Sequence, residues 1–124
     1  MAEPTVWPTE LRLSKDRRTL VVAFDDGTVY ELPAEYLRVE SPSAEVQGHG
    51  PGQRKTVSGK RDVEILNLEE VGNYAVRIAF DDLHSTGIYT WDHLAELGRE
   101  HAVRWAGYLA ELEAKGLTRD RARL

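Results

Sequence analysis

Residues 20–27, Leu20-Val21-Val22-Ala23-Phe24-Asp25-Asp26-Gly27, and residues 76–82, Val76-Arg77-Ile78-Ala79-Phe80-Asp81-Asp82, decide the reading of the fold. Each is an apolar alternation that stops at the same tetrapeptide, Ala-Phe-Asp-Asp. In an extended chain alternate side chains share a face, so Leu20, Val22 and Phe24 predict one buried face and Val76, Ile78 and Phe80 another. The paired aspartates then turn the chain, helped at Gly27 by a residue that takes positive φ without strain.

Working outward, Leu11 and Leu13 alternate with polar neighbours ahead of the charged turn Lys15-Asp16-Arg17. Thr28 to Leu32 reads as a returning strand, and Pro33 opens a short helix through Leu37, where its missing N–H is not needed. The second half has the same plan. Val63 to Leu68 and Tyr74 to Phe80 are strands around a Gly72-Asn73 turn, Ser85 to Thr90 is a third strand, and a helix begins near Trp91. Two strand-strand-strand-helix blocks predict an α+β fold with a mainly antiparallel sheet and C-terminal helices packed on it. The recurrence is either an internal repeat or two similar hairpins.

Trp91, Leu94 and Leu97 form one short helical face, which Gly98 is expected to cap or bend. Ala102, Trp105, Leu109 and Leu112 continue on a second helix that ends at Lys115-Gly116. Residues 1–9 read as an N-terminal arm, 10–116 as one domain, and 117–124 as a polar, Arg-rich tail expected to fray. Between the blocks, Ser41 to Lys60 holds Gly48, Gly50, Gly52 and Gly59 with Pro42 and Pro51, a long loop of the kind that carries function.

The chain has 124 residues, 41% apolar and 30% charged, which is a globular composition of single-domain size. A net charge of -5 argues against a general nucleic-acid binder. Without cysteine there is no disulfide, thiol nucleophile or thiolate-held metal centre, and a reducing cytoplasm is the expected compartment. No segment approaches the roughly 20 apolar residues that cross a bilayer.

Candidate chemistry is sparse. His93 and His101 lie eight positions apart with Gly98 between them, a poor metal pair. His84 follows Asp81 and Asp82, where imidazole and carboxylates, with His49, are an alternative weak site for iron or zinc; a solvated turn is the simpler reading. Gly48 to Lys55 looks like a phosphate loop but has no buried strand before it and the wrong glycine spacing. Arg54, Lys55, Lys60 and Arg61 form either a small basic patch for an anion or acidic surface, or a plain solvated loop. Asp25, Asp26, Asp81 and Asp82 suit turns better than acid–base catalysis. Ser41 and Ser43 have no histidine beside them in sequence, so a nucleophile would need a triad assembled by the fold.

Four segments together carry a family resemblance: Leu37-Arg38-Val39-Glu40-Ser41-Pro42-Ser43-Ala44-Glu45-Val46-Gln47-Gly48-His49-Gly50, then Gly59-Lys60-Arg61-Asp62-Val63, Val71-Gly72-Asn73-Tyr74-Ala75-Val76, and Asp81-Asp82-Leu83-His84-Ser85-Thr86-Gly87-Ile88-Tyr89-Thr90-Trp91. From Glu10 to Gly116 the chain resembles the γ-butyrobetaine hydroxylase N-terminal-like family, whose bacterial members are small stand-alone proteins long filed as a domain of unknown function. In the iron- and 2-oxoglutarate-dependent hydroxylases the same domain precedes a catalytic jelly roll and holds a structural zinc through three cysteines and a histidine. It also resembles a domain at the C-terminus of some P-loop ATPases that carry iron–sulfur clusters. The resemblance places the hydroxylases' Cys-Pro-Cys on Ser41-Pro42-Ser43 and the third cysteine near Val46, so that only His84 has a counterpart. Hydroxyls and a valine do not replace thiolates. The resemblance therefore implies a non-catalytic binding or accessory module with no zinc site and no cofactor. Its expected partner is a protein, through the fused ATPases the iron–sulfur assembly machinery. The expected contact surface is the Ser41 to Arg61 loop with the His84 turn. The alternatives are a weak metal-binding domain and a small enzyme whose site forms only in the fold.

Overall fold

The computed structural model describes residues 5–48, 50 and 52–121. The first block supplies β1 (Pro8–Leu13), β2 (Thr19–Phe24) and β3 (Val29–Pro33), then α1 (Ala34–Val39). A single helical turn, α2 (Ala44–Gln47), interrupts the long loop. The second block supplies β4 (Ile65–Val71), β5 (Ala75–Phe80), β6 (Gly87–Thr90) and α3 (Trp91–Arg99), and α4 (His101–Ala114) follows. The α+β class stands, and every strand pair is antiparallel. The strands are divided between two three-stranded sheets, one per block, with β2 and β5 central.

Both central strands send their alternating residues into one core. Leu20, Val22 and Phe24 of β2 meet Val76, Ile78 and Phe80 of β5, with Tyr36 and Leu37 of α1 and Trp91, Leu94 and Leu97 of α3. Two buried hydroxyls bind the blocks together: Tyr36 donates to the Leu97 carbonyl at 2.7 Å and Tyr89 to the Leu37 carbonyl at 2.5 Å.

The recurrence is structural, hydrogen bond for hydrogen bond. Phe24 N–H donates to the Thr28 carbonyl at 2.9 Å, and Phe80 N–H to the His84 carbonyl at 2.9 Å. Asp26 accepts from Thr28 N–H at 3.0 Å, and Asp82 from His84 N–H at 3.1 Å. Each outer strand shifts register at the matching place, between Pro8 and Glu10 and between Ile65 and Asn67. One position departs. The turn residue with positive φ is Gly27 (88°) in the first block and Leu83 (73°) in the second.

Several boundaries differ from the sequence expectation. Gly98 neither caps nor bends α3, which runs to Arg99. It is small because a Cβ there would lie 2.3 Å from Cγ of the Tyr30 ring. On α4 the buried residues are Tyr108 and Leu112, while Ala102 and Leu109 are exposed. Trp105 lies between that small cluster and the main core. Within the Arg-rich end, Thr118 to Asp120 are docked rather than frayed, and residues 122–124 lie outside those described. Gly59 and Arg61 N–H groups donate to the Thr118 and Arg119 carbonyls at 2.9 and 3.0 Å, and Arg119 grips both oxygens of Glu35 at 2.7 and 2.8 Å. Among the described residues no helix is long and apolar enough to cross a membrane.

Candidate functional site

The turn that ends the second hairpin folds His84 under α2, so the solvated-turn reading of His84 is incorrect: its side chain is only 2% exposed. Its ring lies between two side chains from the loop after α1. Nε2 is 2.9 Å from Ser41 Oγ, and Nδ1 is 3.1 Å from Glu45 Oε2. Ser43 Oγ caps α2 by accepting from Glu45 N–H at 3.2 Å, and it also meets Thr86 Oγ1 at 2.7 Å. Thr86 donates to the other Glu45 oxygen at 3.2 Å.

The donors and acceptors fix the proton positions. An ionised carboxylate only accepts, so His84 Nδ1 carries the hydrogen toward Glu45, and Nε2 accepts from the Ser41 hydroxyl. Ser41 Oγ in turn accepts from Ser43 N–H at 3.3 Å. A neutral imidazole satisfies this network. Burial, aided by the nearby Arg38 charge, accordingly holds the His84 pKa below its usual value, against the opposing pull of Glu45.

Ser41, His84 and Glu45 thus have the connectivity of a nucleophile, base and carboxylate, assembled by the fold from positions 41, 84 and 45. The surroundings do not match that chemistry. Ser41 is 0% exposed, and a Cβ on Gly87 would lie 2.6 Å from its Oγ. The clefts on either side are lined by neighbours, Arg38 and Glu45 on one flank and Asp81 and Asp82 on the other, and not by Ser41 or His84.

Of the remaining candidate residues, Asp82 pairs with both Arg38 and Lys60 through Oδ2, each at 2.7 Å. Burial alone would raise its pKa. The Lys60 hydrogen bond, the His84 N–H and Arg38 outweigh burial and hold it at about 2. Asp81 accepts from Glu64 N–H at 3.1 Å. The four basic residues do not make one patch. Arg54 is drawn to Glu40 and Glu111, and Arg61 to Asp120. Lys55 and Lys60 instead line a cleft with Arg38. His49 lies outside the described residues. Among the described residues no group of three or more His, Asp or Glu side chains is placed to hold a metal ion.

Glu45, Thr86 and Arg38 are the partners that sequence reasoning missed. Glu45 in the first turn of α2 was the one with a signal, because Ser43 two positions earlier is a helix cap.

Residues 11–95 match the model of the family described as γ-butyrobetaine hydroxylase-like, N-terminal. The chain belongs to that family. Among solved structures similar to this γ-butyrobetaine hydroxylase-like N-terminal domain, one NMR solution structure is 42% identical, with 98% of this chain and 95% of that one covered and a TM-score of 0.83. A second is 40% identical, with 99% and 94% covered and a TM-score of 0.81. A crystal structure from Acidithiobacillus ferrooxidans, of a protein with unknown function in the DUF971 family, is 37% identical over 73% of this chain and 91% of that one, with a TM-score of 0.62. Among curated proteins none matches.

The zinc that the hydroxylase relatives imply does not fit these residues. Ser41 and Ser43 present hydroxyls already bonded to His84 and Thr86, and Val46 is a buried hydrocarbon. Zinc takes thiolates, imidazoles and carboxylates, and His84 is the one such group at those positions.

Proposed function

We propose that this chain is a non-catalytic docking module that serves a protein partner, which the resemblance to a domain of iron–sulfur P-loop ATPases suggests is the iron–sulfur assembly machinery. The observation that carries this reading is the closure of the Ser41–His84–Glu45 cluster. Its hydroxyl is wholly buried, and each polar atom on the ring already has a partner inside the protein. Such a network braces a surface and leaves no place for a substrate atom.

The surface it braces carries Leu83, which is 86% exposed at φ 73°. A leucine in the left-handed region costs about 1–2 kcal/mol, and an exposed one gains nothing from burial. The matching turn uses Gly27. An apolar anchor held out at the tip, next to the basic wall of Lys60 and Arg38, supports a partner with an apolar pocket near acidic groups.

The test is capture of purified cluster-assembly proteins by the full chain and by Leu83→Gly. The variant is expected to fold with stability raised by about 0–1 kcal/mol, because strain is relieved while the unfolded chain gains freedom. Capture should fall at least about tenfold in affinity. Wild-type protein that binds none of them, or a variant that binds equally, refutes the reading.

The triad-like geometry favours one second reading, a hydrolase that opens. It requires Ser41 to react with a fluorophosphonate probe and hydrolysis of an activated ester to disappear in Ser41→Ala. The docking reading expects no labelling.

A further inference from the structure

Between α1, α2 and the irregular segment 55–58 lies a cleft of about 330 Å³. That is far more than the roughly 30 Å³ one water occupies in the liquid. Three cations line it: Arg38, Lys55 and Lys60. Two anions face them, Asp82 and Glu45, which leaves one positive charge in excess. Arg38 and Lys60 converge on a single oxygen of Asp82, and both oxygens of Glu45 are engaged by His84 and Thr86. Lys55 is exposed and makes no ion pair with a described residue.

Two kinds of hydrogen-bond donor beside this cleft also lack acceptors among the described residues. The Arg38 side chain is 11% exposed, and its Nη1 is buried without a partner. Along the outer wall Lys55 N–H donates to the Val46 carbonyl at 2.6 Å, but the N–H groups of Thr56, Val57 and Ser58 donate to no described residue. Guanidinium, ammonium and successive backbone N–H groups are the donors that oxyanions use.

We infer that this cleft binds a small dianion, a phosphate monoester or a dicarboxylate, between the Arg38 and Lys60 side chains and the backbone of Thr56 to Ser58. The single excess positive charge attracts an anion, and the several oxygens of a dianion meet donors that no described residue occupies. The site shares Arg38 and Lys60 with the docking surface but uses neither Leu83 nor the buried histidine, so Leu83→Gly tests docking alone and the anion titration tests this site alone.

The experiment is an amide chemical-shift titration of the full chain with inorganic phosphate and, separately, with succinate, at constant chloride. Saturable shifts at Thr56, Val57 and Ser58 with a Kd of about 1 mM are expected from one of the two, and which one saturates identifies the headgroup. Affinity should weaken as salt is raised, because Lys55 faces solvent. Lys55→Glu should weaken binding by about tenfold or more, while Lys15→Glu, on the remote charged turn, should leave it unchanged. No saturation with either probe, or equal affinity in Lys55→Glu, would overturn the inference.

Discussion

Replacing Ser41 by alanine removes one hydroxyl that no solvent reaches, and the structure sets what that costs. In the wild-type protein His84 Nε2 accepts from that hydroxyl at 2.9 Å, while Nδ1 remains bound to Glu45. After the substitution the acceptor nitrogen lies in a side chain that is only 2% exposed, and the methyl group of alanine offers it no hydrogen. A buried polar group left without a partner costs about 1–3 kcal/mol, and the middle of that range is the expected loss. A chain of 124 residues unfolds with an entropy near 0.26 kcal/mol/K, so about 2 kcal/mol lowers Tm by about 8 °C. Calorimetric melts at neutral pH measure this directly. A double-mutant cycle with His84→Phe, which discards the acceptor as well, should recover a coupling of about 1 kcal/mol or more. A Ser41→Ala melt within about 1 °C of wild type would show that the hydroxyl is dispensable to the ring, and the brace argument would fail with it.

Stability should fall as pH drops below about 6.5. His84 and His93 both have folded pKa values held below the unfolded one by burial, so the unfolded chain binds the extra protons first; urea melts at about pH 7.5 and about pH 5.5 check the sign, and a flat profile refutes it. Asp82 works at lower pH. Its stabilisation, on the order of 2 kcal/mol, is complete above the unfolded value of 3.8 and is lost as pH falls through about 2; Asp82→Asn should therefore cost about that much at neutral pH and little near pH 2. Gly98→Ala should destabilise by about 1–3 kcal/mol despite alanine's better helix propensity, because its Cβ meets the Tyr30 ring; a more stable variant in thermal melts would show that the ring swings clear.

The strands were legible because alternation is a local signal. Leu20, Val22 and Phe24 declare their face within five residues, and the two Asp-Asp turns declare where each hairpin closes. The division into two sheets was not legible, since nothing local says whether β3 pairs onward or stops. Gly98 was misread for a related reason. A glycine near a helix end signals a cap, while its actual neighbour, Tyr30, lies 68 positions away in sequence. At the site, the resemblance placed Ser41, Ser43 and His84 together, and the fold joins them through Glu45 and Thr86, which no spacing rule links across about 40 residues. Grouping Arg54, Lys55, Lys60 and Arg61 by proximity in sequence overlooked their partners. Acidic residues just after α1, on α4 and in the C-terminal segment draw two of them away, and Arg38 from α1 enters beside the other two.

The hydrogen-bonded cluster also bears on what holds the fold. A structural zinc contributes on the order of 10 kcal/mol and can hold a small domain together unaided. A chain of largely neutral hydrogen bonds contributes about 1 kcal/mol apiece and cannot. The segments that the family resemblance would join through metal, the loop after α1 and the turn before β6, are joined here by Ser41–His84 and Ser43–Thr86. The stability must then come from elsewhere, and the structure has a source. The apolar core spans both blocks, and the Tyr36 and Tyr89 hydroxyls tie α1 to the second block within it. Removing one of those tyrosine hydroxyls should therefore be felt globally, whereas Ser41→Ala should loosen the 41–47 and 84–86 segments first. Hydrogen exchange separates the two. Faster exchange confined to those segments in Ser41→Ala supports a local brace, and uniform acceleration throughout the core would mean that the cluster, and not the core, is the keystone.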